Sequence, residues 1–144
     1  MDMNVNKNEK KKQSSVDALE LGEKICNFLS EKKATDILLM DIEKSNSYFK
    51  YFLLATASSP IHLKSLLKGI SKEFHGNMPQ SGIRLRTEDV DSGWVIIDYF
   101  DLVVHLFQKE TRDFYNLERL WGDAEIIKKM ANSSVSNALV REDL

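Results

Sequence analysis

The sequence is poor in the residues that stiffen or cross-link a chain. It has one cysteine, two prolines and six glycines in 144 residues. A lone Cys26 excludes an internal disulfide framework and a Cys-cluster zinc site, and fits a reducing compartment. Few Gly and Pro beside 42% apolar residues exclude a fibre or a disordered chain. Long hydrophobic runs are also missing: Asp36-Ile-Leu-Leu-Met-Asp41 is far too short to span a bilayer, so no membrane partner is expected. The first twelve residues are polar, carry Asp2 and Glu9, and contain no Arg and no apolar stretch, which excludes a secretory signal and an organelle transit peptide. A cytoplasmic location is expected. Catalytic signatures are absent too. There is no Gly-rich phosphate loop, no Gly-x-Ser-x-Gly elbow and no His-Glu-x-x-His helix, and His62, His75 and His105 are scattered. No nucleophile stands beside a matched base. The expectation is a protein that is not an enzyme and holds no metal or cofactor.

What is present is 144 residues, enough for one domain with a substantial core, and an uneven charge. Residues 1–14 carry +2, residues 15–86 carry +2, and residues 87–144 carry −6. An acidic half repels phosphate, which argues against nucleic-acid binding by the whole domain. It either attracts a basic protein or simply solvates a surface, and charge alone does not separate the two.

Periodicity orders the elements. Residues 1–14 lack it and are expected as a mobile tail. From Ser15, as N-cap, a helix carries Ala18, Leu21, Gly22, Ile25 and Leu29 on one stripe. Asp36–Ile42 reads as a buried strand, Glu43–Ser47 as a turn, and Tyr48–Thr56 as a second strand. Ser59 followed by Pro60 starts a second helix that buries Leu63, Leu66, Leu67, Ile70 and Phe74, with Gly76 closing it. Lys64, Lys68 and Lys72 stand one turn apart on its other face, as a solvated ladder or a minor contact to RNA phosphates. Ile83–Arg86 reads as a short edge strand and Thr87–Gly93 as an acidic loop. Trp94–Asp98 and Leu102–Phe107 form a hairpin through Tyr99-Phe-Asp101. Glu110–Trp121 is helical, with Phe114, Leu117 and Trp121 on its inner stripe and Gly122 at its end. Apolar residues thin out after Ile127, so residues 128–144 are expected as a frayed or partly helical tail. The working domain is then 15–127, in the order α-β-β-α-β-β-β-α. Adjacent hairpins mixed with helices indicate an α/β single domain, a mixed sheet with flanking helices.

Seven aromatics fall within 28 residues, Trp94, Tyr99, Phe100, Phe107, Phe114, Tyr115 and Trp121, interleaved with acids. Such a concentration supplies both core and interface anchors. His105 lies mid-strand on the sheet face of Val103 and Phe107, as a structural residue or as half of an acid–His pair with Asp98 or Asp101.

Two motifs in tandem carry a resemblance. Gly93-Trp-Val-Ile-Ile-Asp-Tyr-Phe-Asp-Leu-Val-Val-His-Leu-Phe107 is followed by Thr111-Arg-Asp-Phe-Tyr-Asn-Leu-Glu-Arg-Leu-Trp-Gly-Asp123. Together they resemble the ribosomal silencing factor family (RsfS, also called iojap). Lys33-Ala-Thr-Asp-Ile-Leu-Leu-Met-Asp41 and Thr56-Ala-Ser-Ser59 with His62 extend the match, which covers roughly residues 15–124. The resemblance implies a nucleotidyltransferase-like fold without that activity. It implies binding to the large ribosomal subunit through ribosomal protein uL-fourteen, which blocks joining of the small subunit and lowers translation. It also admits minor ribosomal RNA contacts and a homodimer of the free protein. Trp94, Val95, Asp98, Tyr99 and Asp101 of the hairpin, with Tyr115 and Glu118 of the helix, are then the expected partner-binding residues. Phe114, Leu117 and Trp121 would hold that helix to the sheet. Phe100 stands where the family has a turn Gly, which costs on the order of 1 kcal/mol wherever the backbone needs positive φ. Pro60 and Ile61 replace the usual Ser and Arg before His62. The competing readings are a nucleotidyltransferase-type enzyme and an RNA-binding accessory factor.

Overall fold

The computed structural model describes residues 6–44, 48–74 and 87–130. Helix α1 spans Asn6–Glu31. It begins well before Ser15, because the Lys-, Glu- and Gln-rich segment ahead of that residue consists of good helix formers that extend a helix without an apolar stripe. Residues 6–14, expected as a mobile tail, are its first turns. Its inner face buries Ala18, Leu21, Ile25, Cys26 and Leu29. Burial pushes the Cys26 thiol up to about 11, so it is an inert core group. Lys33 takes positive φ after the helix, and the Ala34 amide donates to the Leu29 carbonyl at 2.9 Å, turning the chain into the sheet.

Strands β1 (Thr35–Asp41) and β2 (Tyr51–Ala57) pair antiparallel. Helix α2 (Pro60–Glu73) starts where Ser59-Pro60 predicts it, with the Ser59 hydroxyl accepting from the His62 amide at 3.0 Å. Phe74 caps its end; the Gly76 closure and the Ile83–Arg86 strand lie outside the described residues. The expected acidic loop forms the short helix α3 (Thr87–Ser92), ended by Gly93 at φ +82°. A side chain there would collide with the Thr111 hydroxyl. Strands β3 (Trp94–Asp98) and β4 (Leu102–Gln108) form the hairpin. The single helix expected over 110–121 is two pieces, α4 (Lys109–Tyr115) and α5 (Leu117–Leu120). Asn116 separates them in the left-handed conformation that Asn tolerates. The C-terminal segment read as frayed opens with strand β5 (Glu125–Met130), an edge strand whose paired lysines hide its period-two pattern.

The sheet order is β3-β4-β2-β1-β5, with β2 and β4 parallel and all other pairs antiparallel. It is thus the expected mixed sheet of one α/β domain. Its two faces carry separate cores. Helices α1 and α2 cover Ile37, Leu39, Leu53, Ala55, Val95, Ile97, Val104 and Leu106. Helices α4 and α5 lie over Leu38, Met40, Phe52, Leu54, Val103 and Phe107. Hairpin and second helix layer therefore meet on the second face.

Candidate functional site

The site grows from period two in β3. Successive side chains alternate between faces, so Trp94, Ile96 and Asp98 point to the second face while Val95 and Ile97 enter the first core. Register places Trp94 opposite Phe107, Ile96 opposite His105 and Asp98 opposite Val103. Ring stacking fixes Trp94: its ring lies 5.2 Å from Phe107 and 4.7 Å from Tyr115 of α4, centroid to centroid. Tyr115 in turn meets Phe114 edge-on at 5.1 Å. Hairpin and helix therefore present one aromatic surface, rimmed by the exposed Asp98 carboxylate.

Beneath it sits His105, only 5% exposed. The Trp94 indole N–H donates to its Nδ1 at 3.1 Å. That contact assigns the imidazole proton to Nε2, which is buried without a hydrogen-bond partner among the described residues. Phe52 packs edge-on against the imidazole at 4.6 Å. Burial lowers the His105 pKa to about 4, so the ring is neutral at physiological pH. It is an orienting group for Trp94, not half of an acid–His pair: Asp98 instead accepts from the Phe100 amide at 2.7 Å.

Helix α4 is anchored by a residue that periodicity did not single out. Arg112 is buried, and one guanidinium nitrogen donates to the Asp36 carbonyl (2.6 Å) and the Thr56 hydroxyl (2.8 Å). Its Nε donates to Glu118 at 3.2 Å. The Asp36 carbonyl is available because β1 breaks register between Thr35 and Leu38, with Asp36 at φ +48°. One side chain thus ties α4 to β1, β2 and α5. A cavity of about 370 Å³ opens beside it between α4 and β5, lined by Lys109, Arg112, Glu118 and Lys129 among others.

The expected partner-binding residues separate into four groups. Trp94, Asp98 and Tyr115 share the second face or its rim. Asp101, half-buried, lies at the hairpin tip, where its carbonyl accepts from the amides of Lys50 and Tyr51. Glu118 is partly exposed but occupied by Arg112. Val95 and Tyr99 are corrected: both are buried in the first core, because the odd positions of β3, continued into Tyr99, face α1 and α2. Burial also pushes the Tyr99 phenol up to about 12. Phe114 is corrected in the other direction. It is 80% exposed, since α4 is held by Arg112 and the break at Asn116 leaves the Phe114 ring outside the core. Leu117 is buried, and Trp121 packs edge-on against Phe52 at 5.5 Å, so these two do hold the layer to the sheet. Ile96 was missed, although alternation from Trp94 puts it on the same face.

Lys64, Lys68 and Lys72 are exposed on α2, across the sheet from the aromatic surface. The structure does not bring the two together. His62 clasps helix ends: its Nδ1 accepts from the Ser58 amide at 2.9 Å, and Nε2 donates to the Lys32 carbonyl at 2.7 Å. Among the described residues no group of three or more His, Cys, Asp or Glu is placed to hold a metal ion, and no helix is long and apolar enough to cross a membrane.

Similarity to known proteins agrees with the two motifs that build this surface. Residues 15–142 match the family model described as ribosomal silencing factor during starvation. The ribosomal silencing factor RsfS of Bacillus subtilis (strain 168) is 37% identical over 98 residues, 67% of this chain and 80% of that protein. A mouse protein named mitochondrial assembly of ribosomal large subunit protein 1 is 27% identical over 99 residues, 67% of this chain and 43% of its own. Among solved structures, a Chromobacterium violaceum protein superposes with a TM-score of 0.64 at 28% identity, covering 73% of this chain and 86% of that one. Bacterial relatives carry the name of a silencing factor and not of an enzyme. With the family model spanning nearly all of it, the chain belongs to the ribosomal silencing factor family.

Proposed function

We propose that this protein binds the large ribosomal subunit through ribosomal protein uL-fourteen and blocks joining of the small subunit, repressing translation without chemistry of its own. The observation that carries the reading is the 4.7 Å contact between Trp94 and Tyr115, which merges both family motifs into one aromatic surface. The exposed Asp98 carboxylate rims it, and residues 87–144 carry −6 overall, which favours a basic protein as partner. The names of the relatives supply the ribosome, and the mouse relative's name supplies its large subunit. Trp94, Asp98, Asp101 and Tyr115 are the contact residues in this reading, with Ile96 and Phe114 added. Glu118 acts on the surface through Arg112. Val95 and Tyr99 shape it from below.

The remaining elements of the reading are subordinate. The working domain expected over 15–127 widens to take in all of β5, which runs to Met130. A nucleotidyltransferase-like ancestry, a cytoplasmic location and a homodimer of the free protein are consistent with the reading. Lys64, Lys68 and Lys72 face away from the aromatic surface, so an RNA contact through them is a separate, weaker one.

Sedimentation with separated subunits and assembled ribosomes tests the proposal. The protein is expected to pellet with large subunits and little with small subunits or assembled ribosomes. Equal pelleting with all three would refute it. Raising salt should weaken the complex only shallowly, because few phosphates are involved.

A further inference from the structure

The hairpin tip holds a residue that folding alone does not account for. Tyr99 and Leu102 are joined by the Tyr99 amide donating to the Leu102 carbonyl at 2.8 Å, so Phe100-Asp101 is a two-residue connection. Phe100 has φ +75°, while Asp101 is not in the positive region. Positive φ at the first of two central positions is the setting of a type II′ turn, where glycine is ordinarily found. For a bulky residue it is a genuine outlier. The Phe100 amide is held by Asp98 Oδ1 at 2.7 Å, so the strained backbone is pinned.

Nothing among the described residues repays that strain. The Phe100 side chain is 61% exposed and belongs to neither core. Backbone and burial both favour a smaller residue here. Strain kept at an exposed apolar side chain points outward, to a contact made with something else.

We infer that Phe100 is an interface anchor that inserts into an apolar, basic-rimmed pocket of the ribosomal-protein partner. The chemistry of that partner follows from the neighbours. Asp98 and Asp101 flank Phe100 in sequence, and two carboxylates repel a phosphate backbone but complement Lys and Arg around an apolar depression. The tip continues the surface of Trp94, Ile96 and Asp98 along β3, so one partner covers both. This inference rests on the large-subunit reading above and extends it to a residue that the two motifs do not explain.

Opposite signs for stability and binding make the test sharp. Phe100→Gly should raise the melting temperature by about 3 °C, because the turn conformation suits glycine. It should also weaken binding to purified large subunits about thirtyfold, the loss typical of an anchor. Phe100→Asn, which tolerates positive φ, should lose affinity comparably without unfolding. Phe100→Tyr should stay within about threefold of the parent. Gly and Asn variants that bind like the parent, while the parent binds large subunits, would overturn this inference alone. A parent that does not bind large subunits would overturn the functional reading and this inference with it. Variants that lose only self-association, seen by sedimentation velocity, would assign Phe100 to a second copy of the chain and refute the ribosomal pocket.

Discussion

Trp94→Phe separates the indole's hydrogen bond from its ring stacking. The phenyl ring keeps most of the contact with Phe107 and Tyr115, but the donor to His105 Nδ1 at 3.1 Å disappears. That donor is the imidazole's one hydrogen bond, because Nε2 is buried without a partner among the described residues. Its removal leaves both ring nitrogens unpaired in an apolar layer. An unsatisfied buried polar group costs about 1–3 kcal/mol, and the smaller ring adds roughly 1 kcal/mol of lost packing. The expected total is about 2–4 kcal/mol, large against the ~5–15 kcal/mol stability of a domain. Urea unfolding at pH 7 should show a lower midpoint with an unchanged slope. Because His105→Leu removes the other half, the double variant should be less destabilised than the sum of the singles, by about 1–2 kcal/mol. Additive effects, or a Trp94→Phe variant as stable as the parent, would refute the claim that His105 orients the indole.

The other expectations follow from the same layer. Burial holds the folded-state His105 pKa at about 4 against 6.5 in the unfolded chain, so the unfolded state takes up the proton first as pH falls. Stability from the neutral imidazole is complete above pH 6.5 and is lost on acidification towards pH 4, at up to about 1.4 kcal/mol per pH unit. His105→Leu should flatten that part of the urea-midpoint profile, and an unchanged slope would contradict it. Arg112→Leu leaves the Asp36 carbonyl, the Thr56 hydroxyl and Glu118 without their donor, and should destabilise by about 3 kcal/mol. A melting temperature within a degree of the parent would exclude the tether. Tyr115→Ala, on a half-exposed ring, should change stability by less than about 1 kcal/mol yet weaken large-subunit binding about tenfold. Trp121→Ala should do the reverse, since that ring packs against Phe52 and not on the proposed contact surface.

Local chemistry made some of this legible in advance. Ser59-Pro60 marks a helix start that needs no tertiary context, and the apolar runs of β1, β2 and β4 read as strands because both of their faces are buried. Legibility failed where packing or backbone conformation decides. Asn116 breaks a helix that its apolar spacing would continue, and that break exposes Phe114. Arg112 is buried because a register shift in β1, far away in sequence, offers it a carbonyl. Strand β5 is held by pairing with β1, while its own Lys128-Lys129 pair suggests solvent. At the site the residue types were visible and their directions were not. Taking Trp94, Val95, Asp98 and Tyr99 as one patch ignored the alternation that sends Val95 and Tyr99 inward.

The sheet closes late in the chain. Ile37 of β1 pairs with Met130 of β5, and β2 pairs in parallel with β4 only after a long crossover. Contacts of such sequence separation form slowly, because the intervening chain must first be confined. During synthesis β1 keeps one edge bare until β5 has emerged, and α4 cannot dock through Arg112 until β1 and β2 are in place. The aromatic surface is therefore assembled only when nearly the whole domain has left the exit tunnel. A nascent copy has no finished aromatic surface while the ribosome making it is still translating the domain.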